Sequence, residues 1–295
     1  MKRCLYCSTS YETVNWVCPT CGHTPTIVDE LLIFAPELEQ GGTGFEPKAY
    51  SELAILEDKN FWFRSRNQLI VWALKRHIPD IRRYMEIGCG TGYVLSGIAQ
   101  AYPKALLTGS DVFAVGLSHA ARRVKVAEMI QMDARHIPYT EEFDVIGAFD
   151  VLEHIKEDET VLSEMLRALR PGGIILITVP QHPFLWSEID DYACHVRRYR
   201  HGELREKVRN AGFFVEYETS FVSLLFPLMV TSRLARPRKT NELLADPLSE
   251  LRLPVYVNRI FESVMNVERT LIKLGVHFPF GGSLLLMARK GRIGI

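Results

Sequence analysis

The sequence predicts an α/β fold behind a small cysteine-bound module, and three observations carry that prediction. The short apolar run 84–87 passes through Gly88-Cys89-Gly90-Thr91-Gly92 into a helical pattern at Tyr93–Ala101, which is the strand, tight turn and helix of a βα unit. Further short apolar runs follow at 105–110, 128–131, Phe143–Phe149 and 174–179. Ahead of all of them stands Cys4-x2-Cys7-x10-Cys18-x2-Cys21.

The chain has 295 residues, 47% of them hydrophobic, with 35 Lys and Arg balanced by 35 Asp and Glu. Disorder, collagen and a long coiled coil are excluded. The length suits one large domain with an appendage, or two domains. Zero net charge gives no global reason to expect a nucleic-acid partner, because phosphate binding needs an excess of Lys and Arg on some face. The first residues enter the cysteines without an apolar leader, and the apolar run near 221–229 is short and interrupted by Pro227. The expectation is therefore a cytoplasmic protein without a spanning helix.

Four of the six cysteines form the N-terminal motif. Each Cys-x2-Cys turn presents two thiolates on one side, and two such turns make the tetrahedral sulfur cage that zinc prefers. Cys4, Cys7, Cys18 and Cys21 are the expected ligands, with His23 a bystander. Four protein ligands leave no open position, so the metal would be structural. The module, about residues 1–25, resembles a zinc ribbon. Residues 26–60 read as a linker, with a strand or short apolar segment at 27–34 and a flexible Gln40-Gly41-Gly42-Thr43-Gly44.

Residues 61–78 carry Trp62, Leu69, Ile70, Trp72, Ala73 and Leu74 at helical spacing, ending before Pro79. Gly88, Gly90 and Gly92 permit close backbone approach at a helix N-terminus, where a nucleotide moiety can lie. Nineteen residues after Gly92 stands Asp111, an acid placed to accept both hydroxyls of a ribose. Met132-Asp133-Ala134 follows the next short strand, Asp150-Val151-Leu152-Glu153-His154 follows the strand Phe143–Phe149, and Arg170-Pro171-Gly172-Gly173 precedes the strand at 174–179.

Together these residues resemble the class I S-adenosylmethionine-dependent methyltransferases over about residues 80–220 plus a closing strand. The resemblance implies a doubly wound, seven-stranded, Rossmann-like sheet. It places Glu86 near the methionine amino group, Gly88, Gly90 and Gly92 in the glycine loop, Asp111 on the ribose, and Asp133 with Ala134 at the adenine edge. Asp150 joins the cofactor set. The dinucleotide fingerprint G-x-G-x-x-G does not fit, since the third glycine comes one residue early. A helix at 203–211, a strand at 212–216 and a last strand at 283–289 complete the expected sheet. Residues 221–282 form an insertion too long for a loop, with a helical stretch at 255–274, so a helical cap on the substrate side is expected. The expected domains are thus the module 1–25, the linker 26–60 and a methyltransferase domain 61–295.

Methyl transfer from a sulfonium is an in-line displacement, so a hydroxyl or activated-carbon acceptor needs a base close to the methyl group. His154, after the fourth strand, is the candidate, or else a histidine that orders the loop. Asp150 to His154 also looks like the E-x-x-E-H segment of ubiquinone-pathway O-methyltransferases, where acids and histidine are associated with a divalent metal. Here the first acid is Asp, and a catalytic metal is not expected.

His182, Trp186, His195, Arg197, Arg198 and Tyr199 follow the fifth strand as candidates for an acceptor pocket, the alternative being a solvated approach ion-paired to Asp190 and Asp191. Residues 221–239, apolar and then basic, either rest on a membrane surface or pack in the core. The acceptor class is a small-molecule, lipid-linked or saccharide hydroxyl, or a carbon. Two competing functions remain: an RNA methyltransferase using the ribbon, against which neutral charge and the missing N/D-P-P-Y/F motif weigh, and a cofactor-fold binding module without activity.

Overall fold

In the computed structural model, residues 1–39, 47–235 and 251–291 are described. The expected flexible linker at 40–44 falls wholly among residues 40–46, which lie outside the described residues together with 236–250 and 292–295.

The N-terminal module contains only β1 (Lys2–Arg3) and β2 (Ser10–Tyr11), an antiparallel pair that holds two cysteine turns together. Next come the hairpin β3 (Thr26–Val28) and β4 (Leu31–Ile33), α1 (Pro36–Glu39), α2 (Pro47–Leu56) and α3 (Phe61–His77). Asn60 caps α3 by accepting the Trp62 N–H, and the helix stops at Ile78 before Pro79, whose ring lacks the N–H that a further turn needs. The stretch 26–60, expected to be a linker, thus supplies strands and helices.

The αβ alternation then runs β5 (Arg83–Ile87), α4 (Tyr93–Ala101), β6 (Leu106–Asp111), α5 (Ala114–Arg123), β7 (Ala127–Gln131), β8 (Phe143–Phe149), α6 (Asp158–Ala168) and β9 (Leu169–Pro180). After the short helix α7 (Glu188–Tyr192) come α8 (Glu203–Asn210), β10 (Phe213–Phe221), α9 (Phe226–Ala235), α10 (Val255–Lys273) and β11 (Ser283–Lys290).

The main sheet has the order β10-β11-β9-β8-β5-β6-β7-β4-β3. Its seven-stranded part is the sheet expected from sequence; β5 to β9 are parallel and β11 is antiparallel to both neighbours. The other two strands are the β3–β4 hairpin, with β4 parallel to β7 through Leu32↔Ile130. Helices cover both faces. Ile70, Leu95, Ile98 and Leu117 pack on one side, and Leu162, Met165, Leu204 and Val208 on the other. Parallel strands buried on both faces explain why 174–179 reads as a continuous apolar run with no alternation.

Strand order reverses between β5 and β8, and at such a switch point the loops diverge and leave a crevice at the carboxyl ends of the strands. The helices α9 and α10 close one side of it as a cap, where sequence analysis expects one. No helix among the described residues is long and apolar enough to cross a membrane.

Candidate functional site

The crevice opens into a cavity of about 1580 Å³ whose wall includes Glu86, Gly88, Gly90, Asp111, Asp133, Ala134 and Asp150. Gly92 does not line it, because its role is to let two helices meet. At φ 76° it starts α4, and a Cβ there would come within 2.9 Å of Ala120 on α5. Gly88, at φ 64°, is fixed by Val151, whose side chain lies 2.4 Å from where a Cβ would be.

Glu86 is buried at the end of β5, with the Tyr84 hydroxyl donating to it at 3.3 Å. Burial, with the nearby acids Glu57 and Asp111, pushes its pKa up to about 8 against the pull of Arg66. Asp111, at the end of β6, accepts the Gly90 N–H at 2.9 Å on one oxygen and the Phe113 N–H at 3.0 Å on the other. Burial raises its pKa, and those backbone donors oppose the rise. Each oxygen keeps a second lone pair for a hydroxyl. Asp133 is clamped by the Arg135 guanidinium at 2.9–3.0 Å, and Ala134 beside it gives an apolar wall.

Asp150 sits at φ 57°, a strained conformation for a residue with a Cβ, and is ion-paired to Arg66 of α3. Arg66 also lies over the Trp62 ring, 4.4 Å from its centroid. Below the glycine turn, Glu57 accepts the Thr91 hydroxyl at 2.7 Å and Arg123 at 2.8 Å. Sequence reading missed Glu57, Arg66 and Arg123. Arg66 did leave a signal, since it interrupts the apolar stripe between Trp62 and Ile70 one turn from each.

Of the six residues proposed for an acceptor pocket, only His195 and Arg198 line the cavity. Tyr199 is fully buried and donates to Asp158 at 2.7 Å, and Arg197 pairs with the same carboxylate and donates to the Lys156 carbonyl at 2.8 Å. Trp186 donates to Asp191 at 2.9 Å, and His182 packs among Phe184, Phe226 and Phe280. The buried Asp158 draws Arg197 and Tyr199 inward, because an unpaired buried carboxylate is costly. The ion pairing weighed at the sequence level is therefore present at Asp190, where it is buried: Asp190 receives Arg198 at 2.8 and 2.9 Å, while the exposed Asp191 accepts from Trp186.

His154 and His195 meet edge to face with ring centroids 4.6 Å apart. Burial, and then the neighbouring His195, lower His154 to about 4, against the opposing pull of the Ala193 and Asp150 backbone. His195 Nδ1 lies 2.8 Å from Asp190 Oδ1, and its Nε2 lies 4.0 Å from Glu153. Although burial pushes Asp190 upward, the bonds from His195 and Arg198 hold it well below the usual carboxylate range. Glu153 is fully buried with no hydrogen-bond partner on either oxygen, and burial beside Asp150 keeps its pKa well above normal.

At the other end of the chain, the Cys4–Cys21 and Cys7–Cys18 sulfur pairs are 3.6 Å apart, and all four sulfurs lie within 4.8 Å of one another. A tetrahedral zinc with bonds near 2.3 Å separates its sulfurs by roughly 3.8 Å, so the cluster fits that ion. His23 stacks on Tyr6 outside the set.

The methyltransferase domain family model matches residues 85–177, from β5 into β9. A probable S-adenosylmethionine-dependent methyltransferase of Mycolicibacterium smegmatis is 29% identical over 166 residues, covering 55% of this chain and 62% of that protein. The fatty-acid O-methyltransferase of the same organism is 33% identical over 100 residues, covering 33% of this chain and 36% of that one. The chain spans about half the length of the curated relatives it matches. Among solved structures, the [4+2]-cyclase SpnF superposes with a TM-score of 0.53 at 22% identity, over 78% of this chain and 83% of that one, a likeness of fold alone. Residues 85–177 therefore match a methyltransferase domain, and the chain is similar to S-adenosylmethionine-dependent methyltransferases in sequence and in its Rossmann-like sheet, with a four-cysteine module at its N-terminus.

Proposed function

We propose that this chain binds S-adenosylmethionine at the β5–β8 crevice and transfers its methyl group to an oxygen, or less readily a carbon, of a small or lipid-linked acceptor. The observation that carries the reading is the pair of buried acids, Glu86 and Asp111, at the ends of adjacent strands around a glycine turn. Buried carboxylates are costly unless something charged or hydrogen-bonding meets them. An ammonium group suits Glu86 and a ribose diol suits Asp111. Ala134 and Asp133 would border the base, and Gly88 and Gly90 let the backbone approach. When bound, the cofactor supplies a methyl group on a positively charged sulfur.

The acceptor's proton goes to His195 in this reading, a change from His154. His195 lines the cavity, and with Nδ1–H donating to Asp190 its Nε2 is left as the acceptor, in the manner of a base held by a carboxylate. His154, lowered to about 4 and so neutral, is left to position the His195 ring, which it meets edge to face. Arg198 keeps Asp190 ionised and so serves the same end. Fatty-acid and aconitate methyltransferases among the relatives support acceptors of this size. The RNA reading is not favoured, since the charge is balanced and the ribbon faces the chain's own sheet.

The test supplies the full chain with methyl-labelled S-adenosylmethionine and fractionated cell extract. Label should pass to an extracted small molecule or lipid, and His195→Gln should abolish the transfer, by about 10²–10⁴-fold as for loss of a general base, while cofactor binding persists. Cofactor binding with no label transferred to any fraction would leave a binding module, or a different reaction on the same fold.

A further inference from the structure

The cap helix α10 is apolar on two opposite faces. Asn258, Phe261, Met265, Glu268 and Ile272 turn inward, where Phe61 and the turn before α9 meet them. Opposite them, at i, i+4, i+7 and i+11, stand Tyr256, Ile260, Ser263 and Val267, and the three large residues are 68, 58 and 56% exposed. A helix that faces only water carries polar residues on that side. The whole cap shares the trait: ten of the 22 large apolar residues that stand exposed among the described residues fall between Leu224 and Phe280. Leu228 belongs both to this exposed set and to the cavity wall, which continues inward through Leu225, Met229, Leu253 and Phe261. Leu228, on α9, is thus a point where the cavity wall reaches the exposed apolar surface of the cap.

We propose that this face seats on an anionic lipid surface, and that the acceptor is an amphiphile that enters the cavity from it, tail along the cap and reactive oxygen toward His195. The acceptor half rests on the methyltransferase reading above, whereas the lipid seat does not. The occupant is chosen by charge. The charged side chains that α10 exposes are Arg259 and Lys273, both basic, while its acids are withdrawn: Glu262 pairs with Arg64 at 2.6 Å, and Glu268 is buried, accepting three backbone N–H groups before α9. An apolar stripe with basic shoulders is the pattern of an interfacial helix. A second copy of the chain would bring like charges together along the same stripe and close the mouth at Leu228.

Co-sedimentation of the full chain with phosphatidylglycerol/phosphatidylcholine vesicles tests the seat, with pure phosphatidylcholine vesicles as reference. Binding should favour the anionic vesicles, and Ile260→Glu with Val267→Glu should weaken it by at least about tenfold, as expected when two buried aliphatic side chains are lost. Both positions lie outside the cavity wall, so cofactor affinity measured by calorimetry should be unchanged. No preference for anionic vesicles overturns the seat, and so does a dimer broken by the same double substitution without vesicle binding. Label that passes only to water-soluble acceptors overturns the amphiphile. Failure to bind S-adenosylmethionine would remove the methyltransferase reading, while the vesicle result still decides the seat.

Discussion

On the proposed reading, Glu86 makes cofactor binding a proton-linked event. In the free protein its pKa is about 8, so at neutral pH the group is mostly protonated, yet a cationic ammonium needs the carboxylate. Affinity for S-adenosylmethionine should therefore rise with pH by up to about tenfold per unit until about pH 8, with a proton released on binding below that point. Calorimetric enthalpies that differ between phosphate and Tris buffers would show the release, and Glu86→Gln should flatten the profile. The same shift has a stability sign. A carboxyl raised in the folded state costs stability as pH rises from its unfolded pKa through about 8, so the free protein should be firmest on the acid side of that window, as far as this group decides. Asp111→Ala should raise the dissociation constant about 10–100-fold, the worth of a charge-assisted hydrogen bond of ~1.5–3 kcal/mol, which titration would measure directly. These acids were legible in the sequence because they lie within a few residues of the glycine turn or one βα unit beyond it. Glu57 and Arg66 were not, because only the packing of α2 and α3 brings them under the turn.

Among the elements, the join between the cysteine module and the sheet matters most. The Arg3 N–H donates to the Pro138 carbonyl at 2.9 Å, and Trp16 packs edge-on against Phe34 and Tyr139. Gln131, fully buried at the end of β7, holds Ala35 at both N–H and C=O, at 2.9 and 2.7 Å. The β3–β4 hairpin thereby covers what would be an open edge strand. The apolar segment 27–34 was legible as a candidate strand, whereas the helices α1 and α2, short and without a clear apolar period, left the rest of 26–60 reading as a linker. Met132 to Ala134, next along the chain from β7, are part of the cavity wall. Removing zinc with a chelator, or Cys4→Ser with Cys7→Ser, should raise hydrogen exchange through β7 and weaken cofactor binding. Unchanged exchange there would mean the module folds and unfolds apart from the sheet. Gly92→Ala tests a second join. The added Cβ meets Ala120 at a positive φ, so a loss of ~1–3 kcal/mol in denaturant unfolding is expected.

Over the whole molecule, a mostly parallel sheet closed on both faces by helices sets the floor of the cavity, and the cap and the segment after β9 supply its wall. The floor was legible almost strand by strand, because short apolar runs separated by helical patterns leave few arrangements open. The wall was less so. Tyr199 and Arg197 have the composition of a binding surface, but Asp158, some forty residues earlier, claims both. His195 was one candidate among six until the fold set Asp190 against its ring. A ligand that binds only the folded form also raises the unfolding temperature, so excess cofactor should stabilise the intact chain.

The most direct test of the central claim is a calorimetric titration of the full chain with S-adenosylmethionine, with zinc content determined on the same sample. The account expects one micromolar site per chain, abolished or strongly weakened by Asp111→Ala, and one zinc. No heat of binding, with the protein folded and zinc-loaded, would contradict it.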